Sequence, residues 1–305
     1  KISGFCGVNI NSVIEALDAS SIYEVPISYH KQGLDFEVCK HFKLDILKKP
    51  NLTRWNKINE IQKSSEGNVN IGVVGKYTSM IDAYKSLLEA INHGGLANKI
   101  KVTVKWIDSE ELEVKKLNLS NTFKDINGVI VPGGFGERGS EGKINAIKFS
   151  RINKIPFFGI CFGMQMAVIE FAKNVLKIKN AGSTELDKKC FPIIGLINEW
   201  NKNGRLIKGT EIDLGGTMRL GSYNAKLRHN SLVRKIYKTS NINERHRHRY
   251  EVNVNLRKRF ENKGLIFSGM SPDNKLPEIV ELKDHPWFVG VQFHPEFKSR
   301  PLTPH

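Results

Sequence analysis

One cysteine stands between two glycines in Gly159-Ile160-Cys161-Phe162-Gly163. This G-x-C-x-G spacing is the thiol counterpart of the nucleophile elbow. The apolar run Ile155 to Ile160 before it predicts a buried strand, and the sequence after it predicts an amphipathic helix. Flanking glycines let the chain turn sharply between the two. The thiol then lies at a helix N-terminus, where the dipole favours thiolate. Such a nucleophile needs a base that can also carry a proton. Val291-Gln292-Phe293-His294-Pro295-Glu296 supplies His294 directly after a predicted strand, where the loops of an α/β sheet gather at a site. Glu296, two residues on, is placed to orient the imidazole. Val131-Pro132-Gly133-Gly134-Phe135-Gly136 also follows a predicted strand, and its backbone N–H groups suit an oxyanion hole for a tetrahedral intermediate. Each piece has a bland counterpart: a structural cysteine, as for Cys6, Cys39 and Cys190, a satisfied histidine, an ordinary glycine turn. Their combination carries the reading. A phosphate loop is excluded, because no G-x-x-x-x-G-K-[ST] occurs.

The elements that would position these groups alternate. Ile71-Gly72-Val73-Val74-Gly75 reads as a buried strand. Ser79, with Asp82 completing a capping box, starts a helix whose apolar face is Met80, Tyr84, Leu87, Leu88 and Ile91, and which Gly94-Gly95 ends. Val102, Val104 and Trp106 alternate as in a strand, and Gly128 to Val131 is another. A helix is expected near 141–153, with strands at Ile193 to Ile197 and Val289 to Phe293. The fold class is therefore α/β, with a mostly parallel central sheet and helices on both faces. Residues 1–45 form a first block with a short helix at Ser12 to Leu17. Residues 46–68 are a polar linker that includes a short helical stretch around Trp55, Ile58 and Ile61. Residues 69–305 form the main domain.

Of the 305 residues, 40% are hydrophobic and 26% charged, as in a soluble globular protein, which excludes disorder and coiled coil. The formal charge of +16 favours anionic partners without specifying one. Four cysteines without a C-x-x-C pair predict no zinc knuckle and a reducing, cytoplasmic setting. The longest apolar stretch, Ile155 to Ile169, is too short for a membrane span, and no signal peptide is visible. A start at Lys1 and a stop at His305 without a closing element suggest a piece of a longer polypeptide. The run Glu244 to Arg249 invites reading as a solvated basic strand or a nucleic-acid patch. Only Tyr250 offers a stacking aromatic nearby, so nucleic-acid binding is not expected.

Taken with Asp82-Ala83-Tyr84-Lys85-Ser86, the strings GGTMRLG (215–221) and ERHRHRYEV (244–252), and Gln292 to Phe297, the three motifs resemble the CTP synthase family. The C-terminal part of that family is a flavodoxin-like class I glutamine amidotransferase. The resemblance covers nearly the whole chain and implies the following. Residues 1–45, including Gln32-Gly33-Leu34-Asp35, match the end of the synthetase domain. Cys161 is the nucleophile, His294 the base and Glu296 the orienting acid. Gly134, Phe162, Gly163, Met164, Gln165, Glu185 and Arg249 contact glutamine. Arg138, Glu141 and Arg219 match positions linked to GTP activation, and Lys1 matches a contact to UTP or CTP. Phe162 replaces the usual leucine of the elbow, Leu17 stands where many members carry lysine, and Gly4 and Gly7 replace commoner residues. The activity implied is release of ammonia from L-glutamine and its passage through a tunnel to a synthetase domain, which aminates UTP to CTP. That domain would use ATP and Mg, and the assembly would be a homotetramer. No metal or cofactor is expected in this stretch, nor is contact with a membrane. The alternatives are another triad hydrolase, such as a γ-glutamyl peptidase, and a non-catalytic assembly module.

Overall fold

A computed structural model describes residues 1–45, 49–76, 81–114, 117–196, 199–202, 205–208 and 218–305. These divide into two compact units. The smaller takes residues 1–68 with 92–101 and 300–304; the larger takes nearly all the rest.

In the smaller unit, short helices Val25–Lys31 and Leu34–His41 are followed by helix Thr53–Lys63. Much of the predicted linker is thus an ordered helix. It buries Ile58 against Tyr23 and Leu96, with Trp55 and Ile61 packed around them. The helix expected at Ser12 to Leu17 is instead a single 3₁₀ turn, Ile10–Ser12, where the Asn9 side chain accepts from the Asn11 N–H. That local bond offers the backbone an alternative to a helix.

The larger unit is built on a nine-stranded sheet. Its strands lie in the order Asn241–His248, Arg219–Leu227, Leu265–Met270, Pro277–Leu282, Phe288–Val291, Phe157–Ile160, Gly128–Val131, Asn68–Gly75, Lys101–Asp108. Strand Phe157–Ile160 is parallel to both its neighbours, and Gly128–Val131 is parallel to Asn68–Gly75. From Phe288–Val291 to Asn241–His248 every pairing is antiparallel. The expected parallel sheet is therefore the half that bears the motifs, and an antiparallel wing extends it. Short connections such as that between Leu265–Met270 and Pro277–Leu282 can join only antiparallel neighbours.

Alternation along the strands feeds two cores, one on each face. Val129, Val131 and Phe157 pack with Ile144 and Ile147 of helix Ser140–Ile152 and Met164 and Val168 of helix Phe162–Asn174. Ile160, Val73, Val289 and Val291 point the other way, onto Tyr84, Leu87 and Val233. Ser79 and Met80 lie outside the described residues; from Lys85 the helix runs to Ala97, through Gly94 and Gly95. Burial of Leu96 offsets the roughly 1 kcal/mol that each interior glycine costs. Among the described residues no helix is long and apolar enough to cross a membrane.

Gly128–Val131, Phe157–Ile160 and Phe288–Val291 are consecutive neighbours pointing the same way. Their carboxyl ends lead into Gly133, Cys161 and His294. Three motifs far apart in sequence therefore meet at one edge, where open α/β sheets place their ligands.

Candidate active site

Cys161 caps the N-terminus of helix Phe162–Asn174 with φ 53° and ψ −104°. A non-glycine residue at positive φ stores strain of order 1–3 kcal/mol, and such strain gathers at functional sites. The conformation is held from both sides. The Cys161 N–H donates to the Val291 carbonyl at 2.7 Å, and its carbonyl accepts from the Gln165 N–H at 3.1 Å. Both elbow glycines are sterically required. A Cβ on Gly159 would come within 2.8 Å of the Gly163 backbone, and one on Gly163 within 1.9 Å of the Val131 carbonyl oxygen.

His294 Nδ1 lies 2.7 Å from Glu296 Oε1. Its backbone N–H donates to the Arg245 carbonyl at 2.7 Å, and the Phe297 ring stacks on the imidazole at 5.0 Å between centroids. A Cβ on Gly133 would be 2.8 Å from His294 Cε1 and 3.7 Å from Cys161 Cβ, so the glycine loop touches both groups. Burial by itself lowers the imidazole pKa, but Cys161 and Glu296 outweigh it and raise the value to about 10. A cationic imidazolium beside the sulfur is the partner that stabilises a thiolate. Apart from the thiol, Nε2 has no hydrogen-bond partner among the described residues, while Glu296 occupies the other ring nitrogen. No hydrogen bond among the described residues takes the N–H of Gly133 or Gly134. Together with the N–H of Phe162 in the first helical turn, they are donors of the kind an oxyanion needs.

The predicted substrate contacts fall into two groups. Phe162, Gly163, Met164 and Gln165 form the buried first turn, with the side chains of Phe162 and Met164 in the core. Those two can meet a ligand only through the backbone. Glu185, half-buried, accepts from the Gly136 N–H at 2.9 Å. Burial raises its pKa, against the opposing effects of that N–H and of Lys76. Arg249 is half-buried and has no ion pair or hydrogen bond among the described residues. A guanidinium so placed is available to a carboxylate.

The three candidates for GTP activation separate. Arg138 is exposed and pairs with Glu110 at 3.3 Å; Glu141 pairs with Lys173 at 2.6 Å. Arg219, by contrast, is 2% exposed and committed to Glu251 at 2.8 Å and Glu278 at 2.7 Å. Withdrawing it would leave two buried carboxylates without a counter-charge, at a cost of about 3–5 kcal/mol. Lys1 is exposed in the smaller unit. Gly215 to Thr217 of the GGTMRLG string lie outside the described residues. The other cysteines are not the buried structural thiols expected: Cys6 is exposed, Cys39 and Cys190 half-exposed, and Cys161 alone is buried.

The sequence reading missed a buried polar cluster behind the catalytic edge. Glu244, His246 and His248 face inward along Asn241–His248 while Arg245 and Arg247 face out. His246 Nδ1 lies 2.9 Å from His248 Nε2, and the Arg219 pair adjoins them. Burial and Arg219 hold both histidines well below their usual range, hence neutral. Strict alternation along the run was the available signal. Lys143 was missed too. It is buried with its ammonium 4.8 Å over the Phe162 ring, and burial, with Lys76 adding, lowers its pKa to about 8.

A family model described as glutamine amidotransferase class-I matches residues 79–305, and one described as CTP synthase N-terminus matches residues 1–44. The chain is 61% identical over 305 residues to a CTP synthase of Pelagibacter ubique and 57% identical over 306 residues to one of Rhodospirillum rubrum. Both comparisons cover 100% of this chain and 56% of the relative, so the chain spans little more than half their length. Among solved structures, the glutaminase domain of Trypanosoma brucei CTPS, with bound acivicin, is similar with a TM-score of 0.69 and 36% identity, covering 77% of this chain and 89% of that one.

Proposed function

The chain belongs to the class-I glutamine amidotransferases, in the CTP synthase branch, and from that premise we propose that it hydrolyses L-glutamine at Cys161. The observation that carries the reading is the strained, buried cysteine beside an imidazole backed by Glu296. In this mechanism the sulfur attacks the side-chain amide carbon. The oxyanion takes the N–H groups of Gly134 and Phe162. His294 then gives its proton to the departing nitrogen, which leaves as ammonia, and a thioester remains. Water, losing a proton to His294, attacks the thioester; the sulfur departs and glutamate is released. Glu296 keeps one face of the imidazole fixed through both steps.

The ammonia would pass to a synthetase domain that aminates UTP with ATP and Mg, completing a cytoplasmic CTP synthase. GTP activation and a homotetramer belong to the same reading. Arg138 and Glu141 are the exposed residues it offers to GTP, with the buried Arg219 as a third position. Lys1 stays with the synthetase part as a contact to UTP or CTP. The test is covalent. A diazo-ketone analogue of glutamine is expected to label Cys161 and none of Cys6, Cys39 or Cys190, although Cys6 is the more exposed. Peptide mapping that found the label mainly elsewhere would overturn the assignment.

Free glutamine also carries an α-carboxylate and an α-ammonium, both costly to desolvate unless paired. Arg249 would take the first and Glu185 the second. Losing one charge-assisted contact costs about 1.5–3 kcal/mol, or roughly 10- to 150-fold in kcat/KM. Arg249→Ala and Glu185→Ala are each expected to fall in that range for glutamine. Ammonia-driven CTP formation by the full-length enzyme should persist. Arg245→Ala, on the outward face, is the control. Equal losses at Arg245 and Arg249 would show the run to be purely structural.

A further inference from the structure

Behind the nucleophile lies a chain of side-chain amides that the mechanism above does not use. Gln292 is fully buried and follows strand Phe288–Val291. Its Nε2 lies 3.7 Å from Cys161 Sγ, and its Oε1 accepts from Gln165 Nε2 at 3.3 Å. Gln165 Nε2 also donates to the Tyr250 carbonyl at 2.9 Å. The direction of this chain is forced. A carbonyl can only accept, so Gln165 must turn its NH₂ toward Tyr250. The second N–H of that NH₂ then points at Gln292, which must answer with its oxygen. The amide NH₂ of Gln292 is left facing the sulfur.

We propose that Gln292 is a further catalytic residue, a fixed N–H donor to Cys161 Sγ that favours the thiolate over the thiol, with Gln165 setting its orientation. The proposal rests on the reading of Cys161 as nucleophile. A hydrogen bond to an ionised acceptor is roughly twice as strong as one to a neutral group, so a donor held on the sulfur shifts the equilibrium toward thiolate. It also complements His294. The imidazolium must release its proton to the leaving nitrogen, whereas the amide keeps its protons and remains a donor throughout. Among the described residues, the other titratable or charged groups near the sulfur are His294, with Glu296 behind it, the neutral His246 and His248 beyond them, and Lys143 across the Phe162 ring. None of these is altered by a change at Gln292.

The test is the pH dependence of Cys161 alkylation by iodoacetamide on the purified chain, in which the thiolate sulfur displaces iodide. Gln292→Met keeps the volume and removes the donor. Its alkylation midpoint is expected about one pH unit higher, with roughly 10-fold slower alkylation below the midpoint and a similar plateau rate above it. Gln165→Met leaves Gln292 in place but frees its amide to turn, and its midpoint should rise by less. A residue that merely fills space would change the plateau or the melting temperature and leave the midpoint alone. An unchanged midpoint in folded Gln292→Met overturns the proposal; if that variant does not fold, an unchanged midpoint in Gln165→Met does so. Alkylation is read cysteine by cysteine by peptide mapping, since the exposed Cys6 also reacts; a wild-type Cys161 that reacts no faster than Cys6 near pH ~6 would instead sink the nucleophile reading.

Discussion

Replacing Cys161 with alanine is expected to bring glutamine hydrolysis down to background, a loss on the order of 10⁴-fold or more. Every covalent step in the proposed mechanism passes through the sulfur, and Cys161 is the one buried cysteine of the four. None of Cys6, Cys39 and Cys190 stands at a helix N-terminus, and none is buried. The substitution is also structurally mild. Alanine keeps the N–H that donates to Val291 and carries the same Cβ at φ 53°, so the melting temperature should move by only a few degrees. Release of glutamate from glutamine is the measurement. On the proposed function, ammonia-driven CTP formation by the full-length protein, which bypasses the thiol, should survive the change. Residual hydrolysis above about one-hundredth of the wild-type rate would mean that another group performs the attack.

Gly163→Ala should damage stability more than any other single methyl group at the site. The new Cβ would lie 1.9 Å from the Val131 carbonyl oxygen and 2.8 Å from its carbon. Both belong to backbone in the middle of the sheet, between Phe157–Ile160 and Asn68–Gly75, and cannot swing aside as a side chain would. The helix must back away from the strand, opening the core around Met164 and Val131. Overpacking and the voids that follow cost about 3 kcal/mol or more. For a domain of this size that is a drop in melting temperature of roughly 6–12 °C. The elbow should go with it, so labelling of Cys161 should fail even at temperatures where the chain is folded. Gly134→Ala is the comparison. Its Cβ would meet only the Lys143 ammonium, at 3.5 Å, and its melting temperature should stay near that of wild type. Equal melting temperatures for Gly163→Ala and wild type would show that the contact is easily relieved.

The edge that gathers the candidate site was legible because its residues punctuate strands. Glycines and a cysteine after Ile160, glycines after Val131 and a histidine after Phe293 each mark a strand's end, and parallel neighbours bring such ends together. The antiparallel wing was much less legible. Asn241–His248 is rich in asparagine, arginine and histidine, so composition presents it as solvent-facing. Its burial alternates residue by residue, and only that period reveals an inward polar face. Arg219 shows a further limit. Its partners lie 32 and 59 residues downstream, and no local spacing tells a buried guanidinium from one on the surface. Gly94 and Gly95 mislead in the opposite direction, since tertiary burial of Leu96 carries the helix past both.

The close approach of Gly159 to the helix backbone also bears on how the chain finds its fold. Strand Phe157–Ile160 is apolar on both faces, with Phe157 in one core and Phe158 and Ile160 in the other. A slip of one residue against Phe288–Val291 would exchange those faces at little hydrophobic cost, so patterning alone does not select the pairing. The missing side chain does. Only at position 159 can the strand lie against Gly163 and Met164, and a slipped strand would drive Phe158 or Ile160 into the helix. The residues that shape the elbow therefore also hold the strand leading into it in register.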